Sequence, residues 1–198
     1  MPLSIGEVQI LAISGSTREE SLNTSLLRAA SEGIRGAGGT VTFADLRDLA
    51  MPMYDADLQR DKGFPESVRE FRRMVAAGDG FLIATPEYNH GPSAVLKNAL
   101  DWASRRDADG VTGALFRGKP AAMFSAAPGV YGGVRALIQL RENLSALGLF
   151  VMPGQMALVR AKHAFDEDGL LNDAVLQAEA ESQALRVAQM VLSLRPRD

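Results

Sequence analysis

The feature that most restricts this chain is a strict alternation. Short apolar runs of strand length take turns with longer runs that are apolar on one face only. Residues 8–14 (VQILAIS) form the first short run, ending at Gly15. Residues 21–35 follow, with Leu22, Leu26, Leu27, Ala30 and Ile34 at helical spacing before Gly36, Gly38 and Gly39. Residues 40–46 (TVTFADL), 80–85 (GFLIAT) and 119–126 (KPAAMFSA) read as further strands. Residues 149–151 and 155–159 read as a fifth, interrupted by Pro153 and Gly154. Residues 66–77, 93–104, 132–147 and 173–194 read as the remaining helices. The run GFLIAT is apolar almost throughout, as strands covered on both faces are. Five β-α units in alternation imply a parallel sheet with helices on both sides. Right-handed crossovers then leave few doubly wound orders, of which 2-1-3-4-5 suits five strands.

Composition removes several classes of function. The 198 residues suit one α/β domain, residues 1–198, and 46% hydrophobic content supports a core. A net charge of −3 gives no basic face for nucleic acid. With no cysteine there is no disulfide, thiolate metal site or cysteine nucleophile. The two histidines, His90 and His163, have no metal-ligand spacing, so no metal is expected. No apolar run approaches the roughly 20 residues that span a bilayer, and the start lacks a signal-peptide pattern. The expectation is a cytoplasmic protein with a small-molecule partner and no membrane association. Residues 47–65 form one long connection, a length that is often functional.

In the order 2-1-3-4-5 the winding reverses between strands one and three, and the ligand crevice opens beyond their carboxyl ends. The loops there are 15–21 and 86–92, with 126–133 beside them. The first reads GSTREESLN through Asn23 and enters a helix N-terminus, where free N–H groups and the helix dipole favour an anion. Ser16, Thr17, Ser21 and Asn23 add short donors and Arg18 a planar cation. A phosphomonoester suits this set. The loop is neither GxxxxGK[ST] nor GxGxxG, which disfavours a nucleoside triphosphate or a dinucleotide on the Rossmann pattern. In the second loop, Tyr88 offers a flat face and Asn89 both donates and accepts, which fits a flat heterocycle. In the third, small residues admit a ring close to the backbone, and a helix start at Gly132 would favour negative charge on it. Each loop taken alone also reads as an ordinary strand-to-helix turn, with Ser21 and Ser93 as N-caps.

Three ordered stretches, GSTREESLN, TPEYNHGPSAVLKNALDW and GGVRALIQLRENLSALG, together resemble the NADPH-dependent FMN reductase family. The resemblance spans about residues 8–158. It implies a flavodoxin-like fold and an NAD(P)H-dependent oxidoreductase that passes hydride from NADPH or NADH through N5 of FMN. The acceptor would be small: a quinone, an azo compound, chromate or free flavin. It implies that Ser16, Arg18, Ser21 and Asn23 bind the flavin phosphate, that Pro86, Glu87, Tyr88 and Asn89 seat the ring, and that Ser125 and Gly129 contact it from the strand-four side. Family members are commonly homodimers or homotetramers. The chain departs at Gly91-Pro92-Ser93-Ala94, where the family has a serine and then Pro-Gly, though the loop length is kept.

The flavin would carry the chemistry, so no catalytic side chain is required. His90 is a candidate proton donor to a quinone-type product, against the plainer reading of a polar surface residue. Lys97 and Asp101 read as an i, i+4 surface pair. Arg135 reads as a helix-face or interface residue, with a nicotinamide phosphate as the other option. Trp102 and the stripe Leu137, Leu140, Leu144, Leu147 read as core. Two rivals stand beside the reductase: a flavodoxin-type electron carrier without its own NAD(P)H turnover, and a flavin-free domain of the same fold.

Overall fold

The computed structural model describes residues 5–106 and 114–195. Its five strands, β1 (Gln9–Ser14), β2 (Thr40–Asp45), β3 (Gly80–Ala84), β4 (Pro120–Ala126) and β5 (Phe150–Leu158), are all parallel. They lie in the order β2-β1-β3-β4-β5, as the alternation predicts. Helix α1 (Leu22–Gly36) follows β1, α4 (Glu66–Ala77) precedes β3, and α5 (Ala94–Ala103), α6 (Val134–Ala146) and α7 (Ala174–Leu194) follow β3, β4 and β5.

Side chains of the inner strands alternate between two cores, because successive Cβ atoms point to opposite sheet faces. Ile10, Ala12, Leu82, Ala84, Ala122 and Phe124 face α1 and α7. Leu11, Ile13, Phe81, Ile83, Ala121 and Met123 face α4, α5 and α6. The leucine stripe of α6 belongs to the second core: Leu137, Leu140 and Leu144 are fully buried, and Leu147 packs against them.

Two elements differ from the sequence expectation. The fifth strand is continuous through Pro153 and Gly154. Its pairing passes from Ala121↔Val151 to Met123↔Gln155, so a bulge absorbs the extra residues. As an edge strand, β5 tolerates a proline that lacks a ladder donor. The guanidinium of Arg141 takes up the stray carbonyls, donating to Met152 O at 3.0 Å and Pro153 O at 3.2 Å.

The connection 47–65, read from sequence only as one long connection, overlaps α2 (Leu46–Leu49) and contains α3 (Ala56–Lys62). Asp45 and Asp55 cap them. Between the two helices the chain is pinned to α5. Asn98 donates to Pro52 O and accepts from Tyr54 N, while Trp102 Nε1 donates to Pro52 O at 2.7 Å. Trp102, fully buried, packs edge-on against Tyr54 and Phe64. Among the described residues no helix is long and apolar enough to cross a membrane.

Trp102 therefore holds the long connection by both packing and a hydrogen bond. Trp102→Phe should lower unfolding stability by about 1–3 kcal/mol, since it removes a donor and leaves a partial void. In urea titrations the midpoint should fall while the slope stays unchanged.

Candidate functional site

The three loops meet in one hollow at the carboxyl end of the sheet. Its lining includes Ser16, Arg18 and Ser21 from the first loop, Pro86 and Tyr88 from the second, and Pro128 from the third. Stretches of chain more than 100 residues apart are thus neighbours.

A set of buried polar side chains sews these loops together. Ser93, the N-cap of α5, accepts from Leu96 N and donates to Gly15 O at 2.6 Å. A Cβ on Gly15 would stand 2.7 Å from that hydroxyl, so the close approach requires glycine. Asn23 reaches from α1 to the end of β4. Its amide donates to Ala126 O at 3.1 Å and accepts from Ala126 N at 3.0 Å. Ser125, fully buried, donates to Thr85 O at 2.7 Å. Gly133, at φ +88°, passes directly over Ser125, where any Cβ would collide with its hydroxyl.

Glu87 makes the fourth stitch. Helix α6 has Gly133 at its N-cap and no side-chain cap of its own. The Glu87 carboxylate fills that role from the second loop, accepting from Arg135 N at 3.0 Å and Ala136 N at 3.2 Å. Arg135 Nε closes the arrangement on Glu87 at 2.7 Å, and the guanidinium lies 4.6 Å from the centre of the Tyr131 ring. Burial pushes the Glu87 carboxyl up. Arg135 and the two α6 N–H groups outweigh that and hold it below the usual carboxylate range. The sequence expectation that the α6 terminus would favour charge on a bound ring is corrected: a carboxylate already neutralises it.

The start of α1 is different. Ser21 Oγ accepts from Thr24 N at 3.2 Å, so Ser21 is a cap, yet its own proton stays available. The N–H groups of Thr17, Glu20, Leu22 and Asn23 bond to no other described residue, and the Arg18 side chain is likewise without a partner. This is the anion-receptive end of the hollow.

The second loop closes in a two-residue turn, with Tyr88 N to Gly91 O at 3.1 Å and Gly91 N to Tyr88 O at 3.0 Å. Asn89 and His90 sit at φ 50° and 70°, the geometry of a type I′ turn. Tyr88, Asn89 and His90 are exposed.

Of the residues named from sequence, Ser16, Arg18, Ser21, Asn23, Pro86, Glu87 and Tyr88 line the hollow. Thr17 lines the neighbouring one. The Asn23 and Glu87 head groups point at protein backbone, while Ser125 lies beneath the loop. Gly129 accepts from Arg160 N, tying the third loop to the chain after β5. Ala126, Ala127, Pro128, Glu20 and Leu22 complete the lining without having been named as site residues, since apolar and ordinary loop residues carry no motif signal. Arg135 is bonded to Glu87, and Lys97 pairs with Asp101 at 2.8 Å on the surface of α5.

The sequence profile for "NADPH-dependent FMN reductase" matches residues 8–163. The chain is 36% identical over 190 residues to an NAD(P)H-dependent FMN reductase of Pseudomonas aeruginosa, covering 96% of this chain and 98% of that one. It is 35% identical over 193 residues to an NADPH:quinone oxidoreductase of Arabidopsis thaliana, covering 95% and 90%. Among solved structures it is similar to FerB, a flavoenzyme NAD(P)H:(acceptor) oxidoreductase from Paracoccus denitrificans. There the TM-score is 0.79 at 28% identity, over 94% of this chain and 98% of that one.

Glu87→Gln should cost about 1–2 kcal/mol at neutral pH, because the α6 terminus and Arg135 lose their shared anion. The folded carboxyl titrates below its unfolded value. Its contribution is therefore complete above the ordinary carboxylate pKa of roughly 4.3 and is lost as pH falls through the lower folded value. Urea unfolding of both proteins should show a constant gap down to about pH 5 that narrows in stronger acid.

Proposed function

This chain belongs to the NADPH-dependent FMN reductase family, and from that premise we propose that it oxidises NAD(P)H and delivers the electrons, through FMN held where the three loops meet, to a quinone. The observation that carries the reading is the asymmetry of the hollow. One end offers unpaired N–H groups, a free hydroxyl proton and the unpaired Arg18. The other is lined by Pro86, Tyr88 and Pro128, flat or stiff and largely apolar. A phosphomonoester joined to a planar ring has this distribution of charge and shape.

FMN, when bound, would supply the two-electron hydride chemistry that links a nicotinamide donor to the acceptor. The residues of the chain do the rest. Ser16, Thr17, Arg18 and Ser21, with the α1 N–H groups, hold the phosphate. Asn23 positions them by fixing the α1 terminus to β4. Pro86 and Tyr88 seat the ring, and the N–H groups of Glu87, Asn89 and His90, without a partner among the described residues, are donors for its carbonyls. Glu87, Ser125 and Gly129 hold the loops in register. His90 stands exposed on the type I′ turn, where it serves proton delivery to a quinone product only if the acceptor docks against that turn. Residues 1–198 act as one FMN-binding domain. Exposed Tyr88, Val130, Tyr131 and Ile138 suit burial between subunits of a homodimer or homotetramer.

The test is an anaerobic titration of the purified protein, followed by turnover with a quinone, an azo dye, chromate and free FMN. The protein should carry flavin absorbance that NADPH or NADH bleaches, and the quinone should give the fastest turnover. Arg18→Ala should weaken FMN binding by about 10–100-fold. A colourless protein that takes up no FMN would refute the reading. Bound flavin that neither nicotinamide bleaches would make the protein an electron carrier, and preference for another acceptor would replace the quinone.

A further inference from the structure

Thr85, directly after β3, is fully buried and engages each of its hydrogen-bonding groups with a different partner. Its N–H donates to Phe124 O of β4 at 3.1 Å, and its carbonyl accepts from the Ser125 hydroxyl at 2.7 Å. Its own hydroxyl accepts from Ser93 N, at the start of α5, at 3.1 Å and donates to Pro86 O at 2.9 Å. The direction of both hydroxyl bonds is fixed by the partners, because an N–H can only donate and a carbonyl can only accept.

The bond to Pro86 O orients a peptide plane. The proline ring fixes φ of Pro86, and the Thr85 hydroxyl holds the oxygen of the plane that follows. That peptide is trans, so its N–H, which belongs to Glu87, points away from its oxygen. With the oxygen turned in toward buried Thr85, the Glu87 N–H is turned out toward the hollow that Pro86 and Glu87 line. Glu87 is anchored beyond this plane as well, by its carboxylate at the start of α6 and by the bond from Tyr88 N to Gly91 O.

Across residues 85–88, Glu87 N–H is the one backbone donor without a partner among the described residues. Glu87 is half-buried, and an N–H left unpaired away from water is costly. The open N–H groups of Asn89 and His90 differ, since they lie on an exposed turn within reach of water. We propose that Thr85 is a positioning residue: its hydroxyl aims the Glu87 N–H at an acceptor atom of the flavin ring and thereby favours the reduced ring over the oxidised one. The assignment rests on the functional reading above, in which FMN occupies this hollow. A ring that has taken up two electrons carries more negative charge on its acceptor atoms, so a donor that cannot swing away binds that form more tightly.

Two measurements on the FMN-loaded protein test this, and neither reads turnover. Thr85→Val keeps the shape of the side chain and removes the hydroxyl. It should weaken binding of reduced FMN about tenfold more than binding of oxidised FMN, which lowers the two-electron potential of the bound flavin by about 30 mV. Thr85→Ser, which restores the hydroxyl, should return that ratio to within about twofold of the wild type. A role in packing alone would weaken both forms equally and leave the potential in place, and that result would overturn the proposal. So would a serine variant that behaves like the valine one. In nuclear magnetic resonance of the wild type, the Glu87 amide proton should exchange more slowly once FMN is bound and should shift on reduction. A Glu87 amide indifferent to both changes would overturn the proposal even if the valine variant failed to fold. A protein that takes up no FMN would bring down the functional reading and this assignment together, whereas bound FMN with an unmoved Glu87 amide would remove this assignment alone.

Discussion

The carboxyl end of the sheet is organised by buried polar side chains that hydrogen-bond to the backbone of another loop. A parallel sheet ends in strand-to-helix turns whose N–H and C=O groups have no ladder partner, and leaving such groups buried and unpaired costs more than a made bond returns. Asn23, Glu87, Ser93 and Ser125 each answer that need with backbone from a different segment. The loops after β1, β3 and β4 are therefore one connected unit. The hollow they enclose is shaped by their mutual bonding.

The same bonding distributes charge. Helices α1, α5 and α6 all start at this end of the sheet, and each N-terminus attracts an anion. Glu87 occupies the α6 terminus with an internal carboxylate, whereas Ser21 caps α1 with a neutral hydroxyl and leaves several N–H groups open. An incoming phosphate in the hollow thus meets the open α1 terminus. Arg18 projects beside that terminus without a partner among the described residues.

Much of the fold was legible because period and length are local properties. The runs at 8–14, 40–46, 80–85 and 119–126 announce their strands, and the alternation announces the order. The fifth strand was harder to read because Pro153 looks like an ending; only the partner strand and Arg141 show how an edge strand carries it. The two short helices between residues 46 and 62 were missed for a related reason. Their caps, Asp45 and Asp55, are visible in sequence, but neither helix has enough turns to display an apolar face.

For the site, the sequence by itself determined which loops converge and which end receives an anion, because topology follows from the alternation and helix termini carry their own dipole. It also supplied the residue types that a phosphate and a flat ring require. Only the tertiary structure decided how those residues divide their work. Asn23 and Glu87 read as ligand-facing from their motifs, yet their head groups bond to Ala126 and to the start of α6. The physical reason is the same in each case: a side chain's partner is set by what packs within hydrogen-bond reach, and across about 50 to 100 residues no local pattern encodes that distance.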